Sequence, residues 1–371
     1  MPELTDTLYG GSVAALVIPT LSRVTGAVPF TLVEPLLLAY LAWKGTAAAR
    51  GIVAVRRGSR STRDLLQGGG LVALRDLGAA VLLFYFLWGF HYARGPAAQR
   101  MGLPSVEAVT TAELRSLGEE TVDRANDLYR RIHGTSDRGT PTAMPDRRDA
   151  MERALARGWA IATHELSLPA FTAASYGSPK ALTLSRILVR LGLMGFYFPW
   201  TAEAVVNGEA PAVIRGRSTA HEQAHQRGIT SEGEATFAGY VAAIRSGDSL
   251  LRYSATVDAQ LRILQALDAR DPGAARALRD ARSPGVARDL ADLADFRERM
   301  RGTASNVATR VNDAYLRANR VPGGVESYGT ATILLLRYAR ARGGTLEPGA
   351  GPAASGSTRR SGDPGPAPTP N

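Results

Sequence analysis

Two long apolar runs with a basic stretch between them constrain this chain more than any other feature of its 371 residues. Over residues 24–43 the only charged side chain is Glu34, and Leu36 to Leu41 is strongly apolar. Over 77–93 there is no Asp, Glu, Lys or Arg at all. Both runs fall within the ~17–25 residues that a helix needs to span a bilayer. Lys44, Arg50, Arg56, Arg57, Arg60 and Arg63 lie between them, and Asp64 is the first acid to follow. This pattern predicts an N-terminal transmembrane helical hairpin with its basic loop in the cytoplasm and everything after residue 93 extracytoplasmic. Trp43, Tyr85, Trp88 and Tyr92 suit the interfaces, and His91 is expected there too. The segment 8–21, broken by Pro19, is expected to lie along the outer interface. The N-terminus carries Glu3 and Asp6 and lacks the basic opening of a secretory signal. The competing reading is two buried core helices of a soluble protein.

Cysteine is absent, which excludes disulfides, thiolate metal sites and a cysteine nucleophile. The formal charge of +10 can signal nucleic acid or anionic lipid. Outside the basic loop, however, the arginines are scattered among acids, as in Asp295-Phe296-Arg297-Glu298-Arg299, so no nucleic-acid partner is expected.

The second constraint is chemical. His221-Glu222-Gln223-Ala224-His225 fits HExxH, a pattern unlikely by chance in a chain with only 5 His. On a helix, His221 and His225 lie one turn apart on one face, placed to ligate a single Zn²⁺. Glu222 is rotated about 100° from His221, where it can take a proton from a water activated by the metal. Gly228 is expected to end this helix in a left-handed conformation. Arg215, Arg217 and Arg227 suggest wet, charged surroundings and a site outside lipid.

A catalytic zinc needs a third protein ligand, and no histidine follows His225. Glu232 and Glu234 compete for the role. With Ser231 as N-cap, Glu234 falls at N3 and completes a capping box, leaving Glu232 free to turn toward the metal. Tyr328, flanked by Gly323-Gly324 and Gly329, is a candidate donor to a tetrahedral oxyanion, or simply a packed residue at a helix start. The extended stretch 204–207 could be the sheet edge along which a substrate backbone is added, or a plain structural strand.

HExxH followed by Glu232-Gly233-Glu234-Ala235 resembles the HExxH plus ExxA pattern of gluzincin-type zinc metallopeptidases, which include the membrane-embedded CAAX-processing enzymes and the antirepressor-cleaving group. The resemblance implies zincin chemistry with the first Glu, Glu232, as third ligand. Thr236 stands where the pattern usually has Asn or Asp. More specifically the chain is similar to an uncharacterised family of bacterial membrane-anchored zincin-like proteins, through Leu21-Ser22-Arg23-Val24-Thr25-Gly26, Gly195-Phe196-Tyr197-Phe198-Pro199-Trp200-Thr201, the stretch around His221 and Gly324-Val325-Glu326-Ser327-Tyr328-Gly329.

The expected fold is mainly α with a small β element, an α+β zincin-like domain after the hairpin. Residues 1–93 form the membrane region, with spans at about 24–43 and 77–93. Residues 94–342 form the metallopeptidase domain and 343–371 a disordered tail rich in Gly, Pro, Ser and Thr. Helices are expected over 111–133, 146–165, 180–194, 250–269, 286–319 and 327–342. The function these readings imply is a multi-pass, bacterial membrane-anchored zinc metallopeptidase acting on a peptide or protein. A non-catalytic zinc-binding sensor or scaffold, and a metal-free membrane protein, are the alternatives.

Overall fold

The computed structural model describes residues 5–347 apart from 96, 105–107, 135–140, 146–147 and 319–328. Its helices are α1 (Ile18–Gly26), α2 (Val33–Arg56), α3 (Thr62–Leu87), a single turn α4 (Ala97–Arg100), α5 (Thr111–His133), α6 (Arg148–Glu165), α7 (Ser185–Leu191), α8 (Ala212–Gln226), α9 (Glu232–Arg245), α10 (Ser249–Asp268), α11 (Pro272–Asp280), α12 (Pro284–Met300), α13 (Thr303–Ala318) and α14 (Gly329–Ala341). The strands are β1 (Lys180–Ala181), β2 (Gly195–Phe198) and β3 (Glu203–Val206). The molecule is mainly helical with one small sheet, in the order β1-β3-β2. β3 is parallel to β1 and antiparallel to β2, with Phe196 opposite Val205.

The core forms around α9, whose residues from Gly233 to Ile244 are all buried. A helix apolar on every side needs neighbours all round, and α9 packs on α6, α8, α10 and α14. Local signals set several ends. Thr110 and Glu113 form a capping box at the start of α5, and Asp248 accepts from the amides of Leu250 and Leu251 at the start of α10.

α2 and α3 run antiparallel. Lys44 pairs with Asp76, Tyr40 donates to the same carboxylate at 3.0 Å, and Gly51 faces Leu65. Their apolar side chains face outward: Leu36, Leu38, Leu41, Leu71, Leu74, Leu77 and Leu82 are all more than half exposed. Among the described residues one helix, α3, is long and apolar enough to cross a membrane. The helix boundaries differ from the apolar runs. The run 24–43 starts inside α1 and crosses a break before α2, because Glu203 accepts from the amide of Leu32 at 3.1 Å and ties the chain to the sheet there. The run 77–93 is the second half of α3 followed by a 3-10 turn, Gly89–Ala93, in which His91 is buried rather than interfacial.

Two helical expectations also change. The stretch 180–194 splits into β1 and α7, since Lys180 is drawn into a buried ion pair with Glu203, 2.7 Å apart. The stretch 286–319 is two helices, α12 and α13, separated at Arg301-Gly302. Within 8–21, Tyr9, Ala14 and Ile18 pack with Ala202, while Leu8 and Leu16 are exposed. Of the expected tail, all but 343–347 lies outside the described residues.

Candidate metal centre

α8 carries the motif, and its end is built as the sequence indicates. Gly228 has φ +80°, its amide donates to the carbonyl of His225 at 2.8 Å, and the amide of Ile229 donates to Ala224 at 3.1 Å. That is a Schellman closure, in which a left-handed residue lets the chain turn back over the last carbonyls. The turn also orients a ring: the Ile229 carbonyl accepts from His225 Nδ1 at 2.7 Å. A carbonyl can only accept, so Nδ1 carries hydrogen and Nε2 faces the site.

α9 brings the third group. Glu232, its first residue, places Oε2 3.1 Å from His221 Nε2 and 3.6 Å from His225 Nε2, and the two Nε2 atoms are 3.2 Å apart. Ligands of a tetrahedral zinc with bonds of about 2.0–2.1 Å stand about 3.3 Å from one another, so this triangle has the size of one face of such a site. The group His221, His225 and Glu232 can hold a metal ion. Its electrostatics favour a cation. Burial holds His221 down at about 4. Burial also works against charge on His225, but the Glu232 carboxylate outweighs it and raises His225 to about 9. Glu232 itself is buried, yet the positive His225 and the hydrogen bond from His221 keep it well below the usual carboxylate range. One positive charge thus already sits against Glu232, where a metal would displace a proton.

Around these groups lies a supporting chain that the sequence reading missed. Thr236 Oγ1 is 3.1 Å from His221 Nδ1 and accepts from Arg217 Nη2 at 3.2 Å. Arg217 in turn faces Asp258, 3.3 Å away, which also accepts from Arg262 at 2.8 Å. Arg217 lies one helical turn before His221, so the same i, i+4 spacing that paired the histidines could have flagged it. The helices meet closely at Gly239, where a Cβ would come within 3.0 Å of the backbone of Ala220 and His221.

Glu222 is buried, and burial pushes its carboxyl up to about 8. Its side chain lies over Gly195 of β2, where a Cβ would stand 2.7 Å from Glu222 Oε1 and 2.6 Å from the Val205 carbonyl. Glu222, both histidines, Glu232 and Arg217 open onto a cavity of about 1030 Å³, walled by β2, one face of α3 and part of α13.

Other site expectations resolve differently. Glu234 makes no capping box: Ser231 occupies the N-cap position without a side-chain hydrogen bond. Glu234 accepts instead from the amides of Ala97 and Ala98 at 3.1 and 2.9 Å, at the start of α4. The extended stretch 204–207 falls largely in β3, which is paired on both sides and buried, so it is no free edge; β1 and β2 are the outer strands, and β2 is the one that lines the cavity. The arginines are not a wet surface. Arg227 is buried over the rings of Trp159 and Tyr176, and Arg215 donates to the carbonyls of Gly208 and Ala210. His91 packs against Gly228, His133 stacks on Tyr129 at 4.2 Å, and His164 is exposed. Tyr328 lies outside the described residues.

No curated protein and no solved structure matches this chain. A family model does, over residues 9–336, which include α1, the sheet, the HExxH helix and Glu232. The matched span covers most of the chain, which therefore belongs to the family described as protein of unknown function (DUF3810).

Proposed function

We propose that this protein is a membrane-anchored zinc metallopeptidase of gluzincin type. The observation that carries the reading is the convergence of His221 Nε2, His225 Nε2 and Glu232 Oε2 within 3.1–3.6 Å of one another, beside a buried Glu222 in an open cavity. Two imidazoles and one carboxylate form a donor set that suits Zn²⁺ and leaves a position for water or substrate. Bound there, the ion supplies a Lewis acid that acidifies water and polarises a carbonyl. Glu222 takes the proton from the attacking water and delivers it to the leaving amine; a carboxyl held near 8 by burial and drawn lower by an adjacent cation suits both directions. β2 offers its outer backbone edge to the substrate chain. The outward apolar faces of α2 and α3 support embedding of this pair in the membrane, with the residues after α3 outside.

Elemental mass spectrometry on detergent-purified protein tests the reading. About one zinc per chain is expected in the wild type and in Glu222→Gln, with loss of metal in His225→Ala and Glu232→Ala. Glu222→Gln should then cut peptide hydrolysis by ~10²–10⁴-fold. Wild-type hydrolysis retained by Glu222→Gln would remove Glu222 as the general base. A zinc-loaded wild type without hydrolysis, or a Glu222→Gln protein that performs the cellular role as well as wild type, would return the site to the alternative, a zinc-binding sensor or scaffold.

A further inference from the structure

The cavity that contains the candidate metal centre has an unusual wall. Leu77, Ala80, Val81, Phe84, Tyr85 and Trp88 of α3 and its end all line it. Their spacing places them on one helical face over about 16 Å. Exposure falls along this face toward the metal site: Leu77 is 61% exposed, Val81 45%, and Trp88 only 4%. Trp88 ends the path, its ring centre 6.3 Å from that of His225. The facing wall adds Trp200, whose Nε1 donates to the Ala80 carbonyl at 3.3 Å, and Val311 of α13, 63% exposed. Among the described residues, the charged groups lining the cavity are Arg217, Glu222 and Glu232, at its base, with the two histidines. α3 is also the one described helix long and apolar enough to cross a membrane. The same face of that helix is therefore an exposed apolar surface at one end and a buried cavity wall at the other.

An apolar path of this kind could hold an acyl chain or a peptide, and β2 decides between them. All four residues of β2 line the cavity, and β2 is hydrogen-bonded only to β3 among the described strands. Its second edge presents amides and carbonyls that a peptide backbone can satisfy and a hydrocarbon chain cannot. We propose that the substrate is a peptide with a membrane-embedded apolar segment, which lies along the Leu77–Trp88 face of α3 while the polar residues at its end enter beside β2 and reach His221, His225 and Glu232. The proposal rests on the metallopeptidase reading for cleavage but not for binding.

The test uses the full-length chain in phosphatidylcholine–phosphatidylglycerol vesicles. The probe is a synthetic peptide with a leucine–alanine segment of about 20 residues, enough to span the bilayer, joined to a short polar end of randomised sequence. A photo-crosslinking amino acid is placed at Val81, or at Phe86, which is 47% exposed but on the opposite side of α3. The Glu222→Gln background keeps the peptide intact. Crosslinking several-fold stronger from Val81 than from Phe86 is expected. Equal crosslinking from both positions, as from a peptide diffusing freely in the bilayer, or none from Val81, overturns the proposal. So does cleavage by wild type of the randomised polar end alone as fast as of the joined peptide. Strong Val81 crosslinking without zinc or cleavage would sustain the binding path and sink the peptidase reading instead.

Discussion

At the scale of single residues, the site depends on two hydrogen bonds that set the direction of two rings. His225 owes its orientation to a carbonyl created by the helix end itself, so it needs no distant partner. His221 depends on Thr236, which is 3% exposed and also accepts from Arg217. Replacing such an outer partner of a ligating histidine commonly lowers metal affinity 10–100-fold. Thr236→Val keeps the shape and removes the hydroxyl. It is expected to weaken zinc binding by about that factor, read by competition with a chromogenic chelator, while leaving the fold intact. An unchanged affinity would mean that packing alone holds the ring. Thr236 was visible in the sequence only as a departure from Asn or Asp; its role emerged once α9 was seen to cross α8 at His221.

At the scale of elements, the site is the crossing of α8 and α9, and the geometry of that crossing is held from outside. Gly239 permits the close approach. Asp258 on α10 anchors Arg217 on α8, and α10 packs on both α8 and α9. Burial by itself would raise the Asp258 carboxyl, but the Arg217 and Arg262 guanidiniums outweigh it and hold it at about 2. A carboxyl depressed in the folded state contributes stability that is present above its unfolded value, near 4, and is lost as pH falls toward 2. The contribution is on the order of 2 kcal/mol. Acid unfolding followed by circular dichroism should therefore show wild type losing stability between about pH 4 and 2 relative to neutral pH. Asp258→Asn should lack that component and be less stable at pH 7. A variant with the wild-type acid profile would remove Asp258 as the clamp.

At the scale of the whole molecule, the proposed anchoring through α2 and α3 predicts a definite topology. The basic residues cluster at the α2–α3 connection, with Arg56 ending α2, Arg57 and Arg60 in the loop and Arg63 beginning α3. The candidate metal centre lies at the other end of α3, beside Trp88. If the pair spans the membrane, these two features face opposite compartments. The absence of cysteine makes the measurement clean. A single cysteine at Arg60 should react with a membrane-impermeant maleimide only after the cells are opened, and one at the exposed Glu298 should react in intact cells. Labelling of both from the same side would rule out the spanning arrangement.

What the sequence by itself determined about this protein was whatever depends on short-range spacing. The helix carrying His221 and His225, its end at Gly228, the helix 111–133 and the apolar character of the second run are all set by residues within a few positions of one another. ExxA likewise singled out Glu232, because the pattern lies within one turn of a helix. Only the tertiary structure decided the rest. Glu234 serves α4, whose residues lie far away in sequence, rather than its own helix end. β3 became the central strand because both β1 and β2 claim it, leaving those two as the edges, with β2 at the cavity. Arg227 is buried because Trp159 and Tyr176 surround it, and α3 became a cavity wall because Trp200, just past β2, reaches the Ala80 carbonyl and Tyr197 meets Trp88. Each of these outcomes depends on which distant group satisfies a buried charge or a backbone amide, and that pairing is made in three dimensions, not along the chain.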